Sequence, residues 1–175
     1  RWNQAFFFGS VSASLAQGYM LGLYIMGLEH TPATIAFGVL TALCLTAGYG
    51  FIGATWLIIK SEGNLQTKAI RWARTRVWGV VLGFGAISLA SPLVSERIFE
   101  KWFSFPSMIL LAPLPLMSAL LVFILYTALQ HLPAKDDKWA WVPFTATASL
   151  FLLAFAGLAY SFYPYVVPEP LTLYE

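Results

Sequence analysis

Residues 53–76, GATWLIIKSEGNLQTKAIRWARTR, decide how the rest of the chain is interpreted. The stretch begins in an apolar run and then becomes strongly basic, with Glu62 as its one acid. Its basic residues are Lys60, Lys68, Arg71, Arg74 and Arg76. An apolar run closed by clustered Lys and Arg is typical of a helix that leaves the bilayer on the cytoplasmic side, because translocation of a basic loop is disfavoured. The stretch therefore predicts the end of a membrane span.

The composition agrees with an integral membrane protein. Of the 175 residues, 59% are hydrophobic and 10% are charged, whereas a soluble domain carries about a quarter charged residues. The formal net charge of +2 needs no nucleic acid to explain it, because the basic residues lie in short segments between apolar runs. The one cysteine, Cys44, cannot form an intrachain disulfide. We therefore predict membrane lipid as the surroundings and no nucleic acid partner.

The gaps between charged residues are long enough for five membrane-spanning helices. A bilayer core of about 30 Å needs roughly 20 apolar residues of helix. The predicted fold class is all-α, with five transmembrane helices in a bundle with short loops and a single membrane domain over residues 1–175. The predicted helices cover residues 5–28, 34–59, 77–95, 107–130 and 139–163.

Loop charges predict a cytoplasmic N-terminal end and a C-terminal end outside. In this topology the outer loops hold two basic residues, Arg97 and Lys101. The cytoplasmic segments hold Arg1, Lys60, Lys68, Arg71, Arg74, Arg76, Lys135 and Lys138. This bias is the one that cytoplasmic loops of membrane proteins show.

Small residues four apart indicate where helices pack. Such spacing makes a flat helix face on which two backbones approach closely, and lipid supplies no hydrophobic drive for association. The candidates are Gly18, Gly22, Gly50, Ala54, Gly79 and Gly83. Gln17, beside the first pair, is predicted to be buried in protein because it is an amide inside an apolar run.

The segment after Gly63 is predicted to be an amphipathic stretch between two spans. Its apolar stripe holds Leu65, Ala69, Trp72 and Ala73, and its basic stripe holds Lys68, Arg71 and Arg74. A basic stripe next to a span is covered either by anionic lipid in the headgroup layer or by a partner subunit.

Prolines interrupt the fourth apolar run. Pro113 and Pro115 each lack a backbone donor, so the helix is predicted to kink or to start a new segment near residue 112. A discontinuous helix of this kind can border the substrate site of a secondary transporter, which is the alternative function for this chain.

No titratable side chain is predicted at membrane depth. All eight acids lie in loops or at the chain end, and His30 and His131 lie at span ends on opposite sides of the membrane. Proton paths usually use an ionisable residue at membrane depth, and haem iron needs axial ligands. We therefore predict no catalytic, cofactor-binding or metal-binding residue in this chain.

Three groups of residues together resemble subunit II of the cytochrome bd-type quinol oxidases. The first group is the run 53–57, GATWL, followed by Lys60, Glu62-Gly63 and Leu65-Gln66. The second is 8–10, FGS, and the third is 137–140, DKWA, with 162–168, FYPYVVP. Their order and spacing match throughout, and the resemblance covers essentially the whole chain.

The resemblance implies a subunit without haem that pairs with a larger subunit. In this family subunit I holds haem b, with or without haem d, and oxidises quinol. The complex lies in the bacterial cytoplasmic membrane, passes electrons to dioxygen to make water, and takes its protons from the cytoplasm. Subunit II stabilises the pair, and in some members it holds a structural quinone. The family subunit has further helices on both sides of the matching part, so the chain is expected to be a fragment.

Overall fold

The computed structural model describes residues 2–94, 96–105, 109, 111–133, 138–162, 165–167 and 171–172. Its helices are α1 (Trp2–Ile25), α2 (Pro32–Lys60), α3 (Gly63–Val94), α4 (Glu96–Phe103), α5 (Pro113–His131) and α6 (Val142–Phe162). Two short strands, β1 (Tyr165–Val167) and β2 (Leu171–Thr172), pair antiparallel. Predicted features at Arg1, Lys135 and residues 95, 107–108, 110 and 163 lie outside the described residues.

Five long helices correspond to the five predicted spans. Four of them, α2, α3, α5 and α6, are long and apolar enough to cross a membrane. The fifth, α1, has 24 residues and no charged side chain, but several serines and Gln17 lower its hydropathy. The prediction of an all-helical integral membrane fold is confirmed, with a small strand pair added.

Local signals set the ends of α1 and α2. Gly27 and Leu28 have φ angles of 72° and 62°, and the Leu28 N–H donates to Leu23 O at 2.9 Å. This left-handed turn ends α1 before residue 28, the predicted limit. At the start of α2, Thr31 and Thr34 cap each other: each backbone N–H donates to the other hydroxyl oxygen, at 2.9 and 3.2 Å.

The third helix differs most from the prediction. The predicted span began at residue 77 after a basic loop, but α3 begins at Gly63 and includes the whole basic segment. Only Ser61 and Glu62 connect it to α2. The segment is helical because it contains no proline and buries a stripe that includes Ala69 and Ala73, both with 0% exposure.

The predicted apolar stripe of this segment is partly wrong. Leu65 and Trp72 are about half exposed, at 48% and 51%. Gln66 and Ile70 are buried in their place, at 8% and 3%. The buried stripe is therefore rotated from the predicted one, because the tight connection to α2 decides which side of α3 packs.

The chain forms two compact units; α2, α3 and α4 contribute to both, and α6 contributes its last residue, Phe162, to the first. The first comprises residues 1–49, 83–100 and 162–175. The second comprises residues 50–82 and 101–161. The second unit has a buried apolar core from α2, α3, α5, α6 and the segment between α5 and α6. Its members are Phe51, Ile58, Ala69, Ile70, Ala73, Val77, Leu125, Leu129, Leu132, Ala140 and Ala146.

The later helices correct two further boundaries and confirm a third. The outer loop predicted to hold Arg97 and Lys101 forms the short helix α4. A new helix starts at Pro113, as predicted near residue 112, because prolines in the first turn remove no intrahelical hydrogen bond. A turn over residues 138–141 precedes α6, which starts at Val142 instead of residue 139.

Candidate functional site

In the first unit, α1 packs on α2 through two glycines. A Cβ placed on Gly18 would lie 2.6 Å from Ala42 Cα, and one placed on Gly22 would lie 2.6 Å from Gly38 Cα. The opposing atoms belong to the backbone, so no side-chain rotation makes room for a larger residue. The approach of the two helices therefore requires glycine at both positions.

Hydroxyl and amide groups border this contact. The Thr46 hydroxyl lies 3.2 Å from Ser14 Oγ and 2.8 Å from Ala42 O. The Tyr49 hydroxyl donates to Gln17 Oε1 at 3.2 Å. The prediction that Gln17 is buried is wrong for this chain, because its side chain points away from the glycine face and is exposed. The polar groups therefore join α1 to α2 from the edge of the contact.

The other small-residue candidates have different surroundings. A Cβ on Gly83 would lie 2.9 Å from Cys44 Sγ, which is a side-chain atom. A Cβ on Gly50 or Gly79 would meet no heavy atom of the described residues within 4 Å. Ala54 is half-buried. Of the five candidate glycines, Gly18 and Gly22 are therefore the two that lie against the backbone of another helix.

In the second unit, Arg74 of α3 caps the C-terminal end of α5. Its Nε–H donates to Leu129 O at 2.6 Å, and its Nη2 donates to Gln130 O at 3.0 Å and also to Leu132 O. The last carbonyls of a helix have no intrahelical donor, and the negative end of the helix dipole lies there. The guanidinium supplies both the missing donors and a compensating positive charge.

A second cap joins the start of α3 to the end of α2. The Gln66 amide donates to Ile58 O at 3.1 Å, and the Ser61 hydroxyl donates to Leu57 O. On α5 itself, His131 Nδ1 lies 2.7 Å from Thr127 O. Side chains of α3 therefore reach the C-terminal ends of both α2 and α5, which fixes these helix ends to one another.

Sequence reasoning missed this role of Arg74. It placed Arg74 on the basic stripe with Lys68 and Arg71, which are exposed. Arg74 follows Ile70 by four residues and precedes Val77 by three, and both of these are buried at 3% exposure. Residues at these spacings are neighbours on a helix. A correct assignment of the buried stripe would therefore have placed Arg74 at its border.

Two aromatic rings accompany the basic end of α2. The Lys60 Nζ lies 5.3 Å from the centroid of the Trp56 ring, within the range of a cation–π interaction. The centroid of the Trp56 ring lies 4.9 Å from the centroid of the Phe144 ring of α6. Lys60 is exposed like Lys68, Arg71 and Arg76, but its ammonium group lies over the Trp56 ring.

The contacts described above hold helices together and include no metal-type cluster. Among the residues that the structure describes, no group of three or more His, Cys, Asp or Glu side chains could hold a metal ion.

Comparison with known proteins gives one result that covers the whole sequence. The family model described as Cytochrome bd terminal oxidase subunit II matches residues 1–175. No curated protein and no solved structure matches the chain. A family match over all residues, on a chain with four helices that could cross a membrane, agrees with the resemblance seen in the sequence. The chain belongs to the cytochrome bd terminal oxidase subunit II family, multi-pass membrane proteins that pair with subunit I in an oxidase complex that carries haems.

Proposed function

We propose that this chain is a haem-free part of a bd-type quinol:dioxygen oxidoreductase in a bacterial respiratory chain, and that it stabilises the haem-bearing subunit I. The observation that carries the proposal is the family match over residues 1–175. In this proposal subunit I oxidises quinol and holds haem b, with or without haem d. The partners of the chain are subunit I, membrane lipid and a quinone, including a structural quinone in the complex.

The helix contacts support a stabilising role. Gly18 and Gly22 bring two backbones together, and Arg74 fixes the end of α5 to α3. Such contacts give a bundle a defined shape, and a partner subunit needs a defined shape to dock against. Neither contact uses a group that transfers electrons or binds oxygen.

The proposal includes an orientation in the bacterial cytoplasmic membrane. The basic residues of α3 are clustered in its first half, between Gly63 and Val77. The positive-inside preference favours a cytoplasmic location for that end of α3. With alternating spans, the N-terminal end of this chain is then cytoplasmic and the C-terminal end lies outside.

Purification of the native assembly through a tag on this chain tests the proposed function. We expect a larger polypeptide to copurify, with b-type haem absorption and d-type absorption where that haem is present. After the subunits are separated, the haem should remain with the larger polypeptide. A colourless assembly without a larger partner would instead support the transporter alternative, and haem that stays with this chain would contradict a haem-free role.

A further inference from the structure

The first half of α3 exposes a basic and aromatic surface that no contact among the described residues explains. We define the basic–aromatic surface as Leu65, Lys68, Arg71, Trp72 and Arg76. All five side chains are exposed, and the two apolar members are about half exposed. Large exposed apolar groups beside three cations indicate a surface that is covered by something other than water.

The helix presents Lys68 and Arg71 on the side away from the core, and Leu65 and Arg76 lie nearer to the buried stripe. The buried stripe of the same segment holds Gln66, Ala69, Ile70, Ala73 and Val77. At about 3.6 residues per turn, Lys68 and Arg71 project from the opposite side of α3, and Trp72 lies beside them. The Thr75 hydroxyl on that side donates to backbone carbonyls of its own helix, at 3.0–3.1 Å. The groups on this side that remain able to bind a ligand are thus mainly the cations and the Trp72 ring.

The length of α3 places this surface at the edge of the bilayer. The part from Val77 to Val94 carries no charged residue and is about 27 Å long, close to the thickness of the hydrocarbon core. The basic segment directly continues this span. Its turns nearest to Val77, which hold Trp72 and Arg76, therefore lie at the level of the lipid headgroups, and Leu65 lies about 18 Å from Val77 along the helix. Tryptophan rings are enriched at that level.

The cations of the surface have no acidic partner among the residues that the structure describes. In the part of the sequence that the structure describes, Lys68, Arg71 and Arg76 form no ion pair. Arg74 differs from them because its guanidinium is bonded to three carbonyls of the α5 end. One basic residue of this segment therefore serves the fold, and three remain for an anionic ligand.

We propose that the basic–aromatic surface binds the phosphate headgroups of anionic phospholipids. The three cations bind the phosphates by charge complementarity, and Trp72 contacts the glycerol region next to the span. The surface lies where such headgroups are found, and its mixture of cations with an indole ring is that of interfacial helices. An acidic protein surface is the competing occupant, but it would leave Trp72 without an apolar partner. This lipid site is independent of the redox role proposed above.

Lipid titration of the purified native complex tests the site. The complex is delipidated in neutral detergent and titrated with phosphatidylglycerol, with phosphatidylcholine as the uncharged comparison, and bound lipid is counted by native mass spectrometry. We expect the variant K68Q/R71Q/R76Q to bind phosphatidylglycerol more weakly, by about fivefold for each charge and on the order of 100-fold for all three. Phosphatidylcholine binding should change little.

Two control variants separate charge from fold. The variant K68R/R71K/R76K keeps every charge and should bind phosphatidylglycerol nearly as the unaltered complex does. The variant R97Q/K101Q removes positive charge from α4 and should also leave the tight binding in place. The subunit I and haem contents of each preparation are measured in parallel, so that a loss of assembly is recognised.

Two outcomes would overturn the proposal. Unchanged phosphatidylglycerol affinity in K68Q/R71Q/R76Q would show that the surface does not bind anionic lipid. Loss of subunit I from that variant, with lipid binding per remaining complex unchanged, would assign the surface to a protein partner.

Discussion

The α1–α2 contact and the capped end of α5 hold helices together by opposite means. In the first, glycines remove side chains so that a Cβ on Gly18 would lie 2.6 Å from the Ala42 backbone. In the second, the long side chain of Arg74 reaches the carbonyls of Leu129 and Gln130. The difference shows that apolar spans associate by bringing backbones close, whereas helix ends associate through charged donors.

The two contacts should also tolerate substitution differently. A backbone contact has no flexible part, so even one added methyl group forces the helices apart. A cap made by a flexible side chain can be replaced in part by another cation or by water, because Arg74 is only half-buried. The substitutions below are ordered from the largest expected loss of stability to the smallest.

The largest effect is expected for Gly18→Ala and Gly22→Ala. Each adds a Cβ against a backbone atom, which should destabilise the assembled complex by about 3 kcal/mol, the upper part of the usual range for overpacking. Chaotrope-induced dissociation of the purified complex measures this. Gly9→Ala is the matched control on α1, because no described atom lies within 4 Å of its Cβ. Gly83→Ala should fall between them, since Cys44 Sγ can move.

Arg74→Gln tests the other side of the comparison. The shorter neutral side chain leaves several α5 carbonyls without a protein donor. We expect the complex to lose about 1–2 kcal/mol of stability. Hydrogen bonds from a charged group are strong, but water can replace part of this cap because Arg74 is only half-buried. Thermal denaturation of the complex measures the loss. In neutral detergent without anionic lipid, Arg71→Gln is the control on the same helix and should have little effect. Equal losses for Arg71→Gln and Arg74→Gln would contradict the cap.

A single neutral hydrogen bond between helices provides an intermediate case. Trp102 Nε1–H donates to Ser161 Oγ at 3.2 Å, and Ser161 is buried. Trp102→Phe removes the donor and some ring area, so we expect about 1 kcal/mol of destabilisation. A double-mutant cycle with Ser161→Ala isolates the bond. Strictly additive effects of the two substitutions would show that the bond contributes nothing.

The smallest effect is expected for Ser14→Ala, beside the glycine contact. The substitution removes a hydroxyl that lies 3.2 Å from Thr46 Oγ1, and Thr46 keeps Ala42 O as an acceptor at 2.8 Å. Interhelical hydrogen bonds in membranes contribute about 0.6 kcal/mol on average. Dissociation curves like those for Gly18→Ala should therefore shift only slightly. A loss as large as that of Gly18→Ala would mean that polar bonding, and not backbone approach, joins α1 to α2.

The sequence predicted the number of long helices because the spacing of charged residues reflects the thickness of a bilayer. It also marked Gly18 and Gly22 as packing candidates, but spacing alone does not say which helix they meet. The structure places Gly38 and Ala42 of α2 opposite them. Gly50 and Gly79 share the same spacing without a described neighbour, so the pattern does not separate a contact from open space.

The capping role of Arg74 could not be predicted from residue type. Lys68, Arg71 and Arg74 look equivalent in a basic cluster, and their roles separate only when the buried side of α3 is known. That side depends on the two-residue connection to α2 and on Gly63 directly after it. Gly63 takes a positive φ of 61° and redirects the chain. The extension of α3 through the basic segment follows from the same turn.

The central claim is that this chain stabilises the oxidase and does not perform its redox chemistry. Quinol oxidation per haem, measured in membranes that carry Gly18→Ala or Arg74→Gln, tests this claim most directly. We expect the amount of assembled oxidase to fall while turnover per haem stays at the level of the unaltered enzyme. Normal assembly with reduced turnover per haem would contradict the claim.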